Sequence, residues 1–377
     1  MPESQPIRPE PEPEVKRRYR GCLIGGAVGD ALGAPVEFMS LAEIRQTFGD
    51  AGVTEFTTAF GRQGAVTDDT QMALFTAEGL LRFHVRHEVD GSMAFRPVVA
   101  NAYLRWLKTQ GKTTAALEAT DGWLITHPKL FATRVPASTC LEALAAVTQP
   151  GQRASNKSDG CGAAARSAPI GMFCARESGA SIDRAAKRAH EVGIELAALT
   201  HGHPTAQVAA GAFAAIVACL VREVALVDAI AKVKPLLLRR PMHDDTVRAI
   251  ERAQSAAAIT SNPNAETVVG LGEGWAADEA LAIALFCALA ANDLEAGLRL
   301  AVNHDGDSDS TGAMTGNLLG AIHGVESIPR RWQQQLELRD VIALMADDLA
   351  TYPQWPVGQF HPPSEANTYW LERYPGW

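Results

Sequence analysis

"STGAMTGNLLGAIHG", from Ser310 to Gly324, sets glycine at positions 312, 316, 320 and 324. A spacing of four puts all of them on one face of a helix. Each glycine costs a helix about 1 kcal/mol relative to alanine, so such a stripe makes sense where another backbone must come close. "GGAVGDALG" near the other end of the chain repeats the pattern with Gly25, Gly29 and Gly33. The two stripes predict two central, tightly packed helices.

The sequence between them reads almost entirely as helix. Apolar periodicity predicts helices near 69–88, 93–109, 137–147, 162–176, 181–200, 205–222, 243–258, 277–291, 293–303 and 329–350. Breaks such as Pro150-Gly151, Ser261-Asn262-Pro263-Asn264 and Tyr352-Pro353 fall between them. Alternating β-branched runs are few, and no 30–45-residue repeat of the solenoid kind is present. The expected fold class is all-α: a compact single-domain helical bundle spanning 19–377. Residues 1–18, with prolines at 2, 6, 9, 11 and 13 among glutamates, are expected to form a flexible tail.

The chain has 377 residues and a formal net charge of −9, which argues against nucleic acid as a partner. Its six cysteines are scattered without a C-x-x-C pair, as expected of reduced thiols in a cytoplasmic protein. No apolar run is long enough to span a membrane, and the N-terminus lacks the apolar segment of a secretory signal.

Two acidic clusters carry the chemistry. "TDDT" puts Asp68 and Asp69 directly ahead of an apolar helical run, with Thr67 as its N-cap. "HDGDSDSTG" puts Asp305, Asp307 and Asp309, with Ser308, Ser310 and Thr311, ahead of the second glycine stripe. Helix-dipole stabilisation is worth at most about 1–2 kcal/mol and needs one acid. Two clusters exceed that requirement, and a bound cation is the usual remedy for crowded carboxylates. The all-oxygen donor set selects a hard ion such as Mg²⁺ or Mn²⁺. The spacing lacks the loop glycine and closing glutamate of an EF-hand.

Other motifs are less specific. His201 and His203 in "THGHPTAQ" make a weak zinc pair; His201 reads equally as a cleft residue or a structural histidine. "NKSDGCG", from Asn156 to Gly162, is a glycine-rich turn entering a helix, where free N–H groups can cradle phosphate. It lacks the G-x-x-x-x-G-K-S pattern, so a nucleoside triphosphate site is excluded. Trp275, closing "GLGEGW", suits base stacking or the core.

In order, "GGAVGDALGAPVEF", "TDDT", "NKSDGCG", "THGHPTA", "GEGW" and "GDSDSTG" resemble the motifs of the ADP-ribosylglycohydrolases, over essentially all of Tyr19–Gly324. That family includes the ADP-ribosylarginine hydrolases and the dinitrogenase reductase-activating glycohydrolases. The resemblance implies an all-α fold with two divalent cations, Mg²⁺ or Mn²⁺, in a central cleft, and removal of ADP-ribose from a modified protein side chain. It implies Thr67, Asp68, Asp69, Asp307, Asp309 and Ser310 as metal ligands, and Glu37 or Asp307 as proton donor or acceptor. It further implies that Asn156, Ser158, Gly160 and Gly162 hold the diphosphate and ribose, with His201 contacting the same part and Trp275 the adenosine half. The spelling of "GDSDSTG" and "THGHPT" is closer to the arginine-directed branch than to the serine-directed one. Asp305 departs from the family pattern, which carries a small residue there. A second expectation, prompted by the tail, is an immunity-type protein that occludes an ADP-ribosylating toxin, an ADP-ribosyltransferase.

Overall fold

A computed structural model describes residues 8–117, 120–177, 179–358, 361 and 364–376. Among them the only paired strands are two residues long, Thr58–Ala59 and Arg62–Gln63, joined as a small hairpin. Everything else that is regular is helical, and the fold is all-α in a single domain.

The two glycine-striped helices, Pro13–Gly33 and Ser308–His323, lie antiparallel against each other. Gly21 faces Gly320, Gly25 faces Gly316 and Gly29 faces Gly312, while Gly33 faces Ser308. A methyl group on any of these glycines would run into the facing backbone. The stripe therefore serves backbone-to-backbone contact, and Gly21 is a rung additional to those expected. Gly324 closes the stripe: its Cα also lies against Gly21, while at φ 78° its N–H bonds Gly320 and ends the helix beside the Arg17 side chain.

The antiparallel register brings the end of the first helix, with Asp30, to the start of the second, with Asp307 and Asp309. A third helix, Asp68–Asp90, starts at the same place. Around this junction the alanine-rich helices Pro204–Leu220 and Ala277–Ala290 are buried on nearly every face. The approach is close there too, since a methyl on Gly193 would lie 2.8 Å from the Gly211 Cα.

Several expected boundaries move. The first helix begins at Pro13, so residues 13–18 are helical rather than tail; Pro at the first turn loses no intrahelical bond. Arg8 reaches Asp348 at 2.6 Å and Pro11 is buried, so this part of the segment lies on the body of the protein. Residues 1–7 lie outside the described residues. The run at 162–176 is two helices, Gly162–Ala165 and Ala168–Arg176, with Pro169 in the first turn of the latter. The run at 329–350 breaks at Leu338, whose φ is 58°. There the Glu337 N–H is drawn to the Gly64 carbonyl at 2.9 Å, a tertiary bond that no local pattern encodes. Leu41–Phe48, Leu226–Leu237, Ala265–Val269 and Glu365–Arg373 are further helices; the first carries a Ser40/Glu43 capping box that marks it in the sequence.

A candidate active-site cleft

The junction of the three helix ends opens into a cavity of about 360 Å³. Its lining includes Glu37, Asp68, Asp69, Gly160, Gly162, His201, Trp275, Asp307, Asp309 and Ser310. These motif residues come from stretches up to 273 positions apart, and the glycine contacts bring them together. Two helices start at the cleft, so their positive dipole ends face it and favour negative charge there.

Each acidic cluster does cap its helix. The Thr67 hydroxyl accepts from the Asp69 N–H at 3.3 Å, and the Asp307 carboxylate accepts from the Ser310 N–H at 3.3 Å. The clusters are joined directly, with the Ser310 hydroxyl donating to Asp69 Oδ2 at 2.7 Å. Asp68 Oδ2 accepts from the Ala137 N–H at 3.2 Å, which fixes the Val135–Thr139 wall. Asp305 points away and caps Leu41, accepting from its N–H at 2.7 Å.

Asp30 completes the acidic floor and was not expected in it. It is fully buried, and its carboxylate accepts from the Thr67 N–H at 3.0 Å and the Thr70 N–H at 3.2 Å. A charged residue inside the apolar, glycine-striped second half of its helix, residues 21–33, was the available signal. Cys161 was also missed; its thiol donates to Asp307 Oδ2 at 2.7 Å.

Six carboxylates share this small volume, and their proton affinities show the strain. Burial, followed by the charge of Asp309, pushes Asp30 up to about 8, Glu37 up to about 10 and Asp68 up to about 7. The same two causes hold Asp69 and Asp307 well above the carboxylate range. Burial also raises Asp309. A cation among them would favour the charged carboxylates and so oppose these shifts.

The donor set fits such an ion. It is oxygen from Asp68, Asp69, Asp307, Asp309, Thr67 and Ser310, which suits Mg²⁺ or Mn²⁺ rather than zinc. Among the described residues no three His, Cys, Asp or Glu side chains already meet at one ion-sized point. Ser310 and Cys161 engage Asp69 and Asp307 instead.

The glycine-rich loop forms the opposite wall. Cys161 N–H bonds the Trp275 carbonyl at 3.0 Å and Ala277 N–H bonds the Asp159 carbonyl at 2.9 Å, tying that loop to the Trp275 turn. Gly160 and Gly162 line the cavity, whereas Asn156, which is exposed, and Ser158 lie outside its lining. Asn156 braces the loop, accepting from Gly202 N–H at 2.9 Å and donating to the Thr200 carbonyl at 2.8 Å. Thr67, fully buried, likewise sits behind the lining. At the mouth Trp275 stacks on Phe38, ring centroids 5.8 Å apart, and both are exposed. Val135 joins them in a left-handed conformation, φ 50°, a strained one for a β-branched residue.

Comparison with known proteins agrees with this fold. The ADP-ribosylglycohydrolase family model matches residues 11–357. An uncharacterized protein of Archaeoglobus fulgidus is 30% identical over 340 residues, 89% of this chain and 96% of that one. The ADP-ribosyl-[dinitrogen reductase] glycohydrolase of Rhodospirillum rubrum is 25% identical over 87% of this chain and 92% of its own. Human ADP-ribosylhydrolase ARH3 is 32% identical over 95 residues, 22% of this chain and 26% of its own. A solved ADP-ribosylglycohydrolase-related protein complex superposes with a TM-score of 0.63 at 27% identity, covering 90% of this chain and 98% of that one.

Proposed function

This chain belongs to the ADP-ribosylglycohydrolase family, and from that premise we propose that it hydrolyses the bond between ADP-ribose and an arginine side chain of a modified protein. The observation that carries the proposal is the convergence of Glu37, Asp68, Asp69, Asp307 and Asp309 on one cleft beside the Gly160–Gly162 loop. Sequence features favour the arginine linkage: the "GDSDSTG" and "THGHPT" motifs, and similarity along most of the chain to a glycohydrolase named for dinitrogen reductase.

Asp68, Asp69, Asp307 and Asp309, with Thr67 and Ser310, would hold two divalent cations. When bound, such cations act as Lewis acids toward the ribose oxygens and lower the pKa of a water. The protein's own groups supply the proton transfers. Glu37 is half-buried in the cleft, and burial, the part of its raised proton affinity that a bound cation does not cancel, keeps it a proton carrier. It donates its proton to the leaving guanidine nitrogen as the C1″–N bond breaks. Water adds its oxygen to C1″, and Asp307 takes the proton that water gives up. The remaining carboxylates stabilise the positive charge that develops on the ribose.

Release of ADP-ribose from an arginine-modified protein, measured with Mg²⁺ and then with EDTA beside a serine-modified control, tests the proposal. Metal-dependent release from arginine alone is the expected result. Release from serine alone would move the linkage, and release from neither would overturn the reading.

A further inference from the structure

Arg166 is 2% exposed, and among the described residues its hydrogen bonds reach no carboxylate. Its guanidinium is held by neutral groups instead. Nε donates to the Tyr103 hydroxyl at 3.2 Å, Nη1 to Cys140 Sγ at 3.4 Å and Met72 Sδ at 3.8 Å, and Nη2 to Thr200 Oγ1 at 2.6 Å. The Tyr103 ring lies beneath it at 4.7 Å. The charge of Asp68 is felt there, but a buried cation without a direct ion pair is costly, so its one short contact is informative.

That contact ends at the cleft. Thr200 Oγ1 also lies 2.8 Å from His201 Nδ1. The threonine oxygen accepts from Arg166, which leaves its single proton to be donated. Two acceptors are near. Cys140 sulfur is a weak one and already receives from Arg166, whereas an imidazole nitrogen is strong. The proton goes to Nδ1, so the imidazole carries its own hydrogen on Nε2. The His201 backbone is fixed at both ends, its N–H bonded to Ala197 O at 2.9 Å and its carbonyl to Gln207 Nε2 at 2.9 Å. The ring edge faces the glycine loop: a methyl group on Gly160 would lie 3.5 Å from Nε2.

We propose that Arg166 is a positioning residue which, through Thr200, fixes His201 as an Nε2–H donor in the cleft wall. The wall then offers a hydrogen to a ligand oxygen beside Gly160 and Gly162. An imidazole of the other tautomer would meet that oxygen with a lone pair. Burial, and then the charge of Arg166, holds His201 neutral with its pKa pushed down to about 3, so the donor does not come and go with pH. The identity of the ligand oxygen rests on the ADP-ribose reading of the preceding section; the tautomer does not.

The test is long-range ¹H–¹⁵N NMR of the histidine rings in ligand-free protein, with ADP-ribose titrated in the presence of Mg²⁺. The expected result is protonated Nε2 and bare Nδ1 for His201. Thr200→Val removes the proton donor and is expected to lose the single tautomer and about tenfold in ADP-ribose affinity, roughly 1.4 kcal/mol. Thr200→Ser is expected to restore both, which general loosening of the fold would not do. A wild-type ring protonated on Nδ1, or a Thr200→Val protein that keeps tautomer and affinity, overturns the relay. The expected tautomer with no binding of ADP-ribose by wild type would sink the ADP-ribose reading and leave the relay standing.

Discussion

Asp30 caps the helix that Thr67 begins: its carboxylate oxygens lie 3.0 and 3.1 Å from the Thr67 N–H nitrogen. One buried side chain thus joins the end of a glycine helix to the start of the helix bearing Asp68 and Asp69. Asp30→Ala leaves the Thr67 and Thr70 N–H groups without a partner in the protein. The expected cost is about 2 kcal/mol of unfolding free energy, within the roughly 1–3 kcal/mol of an unsatisfied buried donor. Chemical denaturation checks it, and Mg²⁺ affinity should fall with it because Asp68 and Asp69 lose their anchor.

Gly29→Ala or Gly316→Ala sets a methyl group against the facing carbonyl. Overpacking of this kind costs about 1–3 kcal/mol, and the rigid backbone on the other side puts these sites at or above the upper end. Thermal unfolding should show a clear drop in midpoint for each. A variant as stable as wild type would mean that the helices are farther apart than described.

Asp68→Asn and Asp309→Asn are each expected to remove most turnover, a loss of about 100-fold or more by analogy with removing a principal electrostatic group. Divalent-cation binding, followed by calorimetry, should weaken in parallel. Near-normal activity and metal affinity in purified variants would contradict the metal assignment.

Glu37→Gln keeps the shape but has no proton to give. The expected loss is about 10²–10⁴-fold in kcat, with ADP-ribose affinity largely retained. Loss of affinity with unchanged kcat would instead place Glu37 in ground-state binding.

The raised carboxyls give a pH prediction for the metal-free protein. Asp30, at about 8, and Asp68, at about 7, hold protons in the folded state that the unfolded chain releases near 4. Their contribution to stability is therefore present in full below about pH 4 and is lost as pH rises through about 7–8. Mg²⁺ replaces those protons, so saturating metal should flatten the fall. Calorimetry in buffers of differing ionisation enthalpy should also detect proton release on metal binding near pH 6.5. A metal-free stability that is level between pH 5 and 8 would contradict the shifts.

Much of the molecule was legible in the chain order. Gly25, Gly29, Gly33, Gly312, Gly316 and Gly320 announced two closely packed helices because spacing by four has one geometric meaning. Asp68, Asp69, Asp307 and Asp309 announced an acidic cleft because helix capping does not need so many acids. Leu338 and Asn156 show what was not legible. The helix break at Leu338 follows from a bond between Glu337 and Gly64, and Asn156 lies outside the cleft lining because its amide is engaged by Thr200 and Gly202.

By itself, then, the sequence determined an all-α fold, its central helix pair and the two acidic clusters at the helix starts, since helical period and carboxylate crowding are local properties. The tertiary structure alone decided that Asp30 belongs to the acidic floor, that Cys161 donates to Asp307, and that Arg166 reaches His201 through Thr200. Those contacts join side chains from separate elements, and proton affinities follow burial and neighbouring charge. Both exist only once the antiparallel glycine helices have brought distant segments to one cleft.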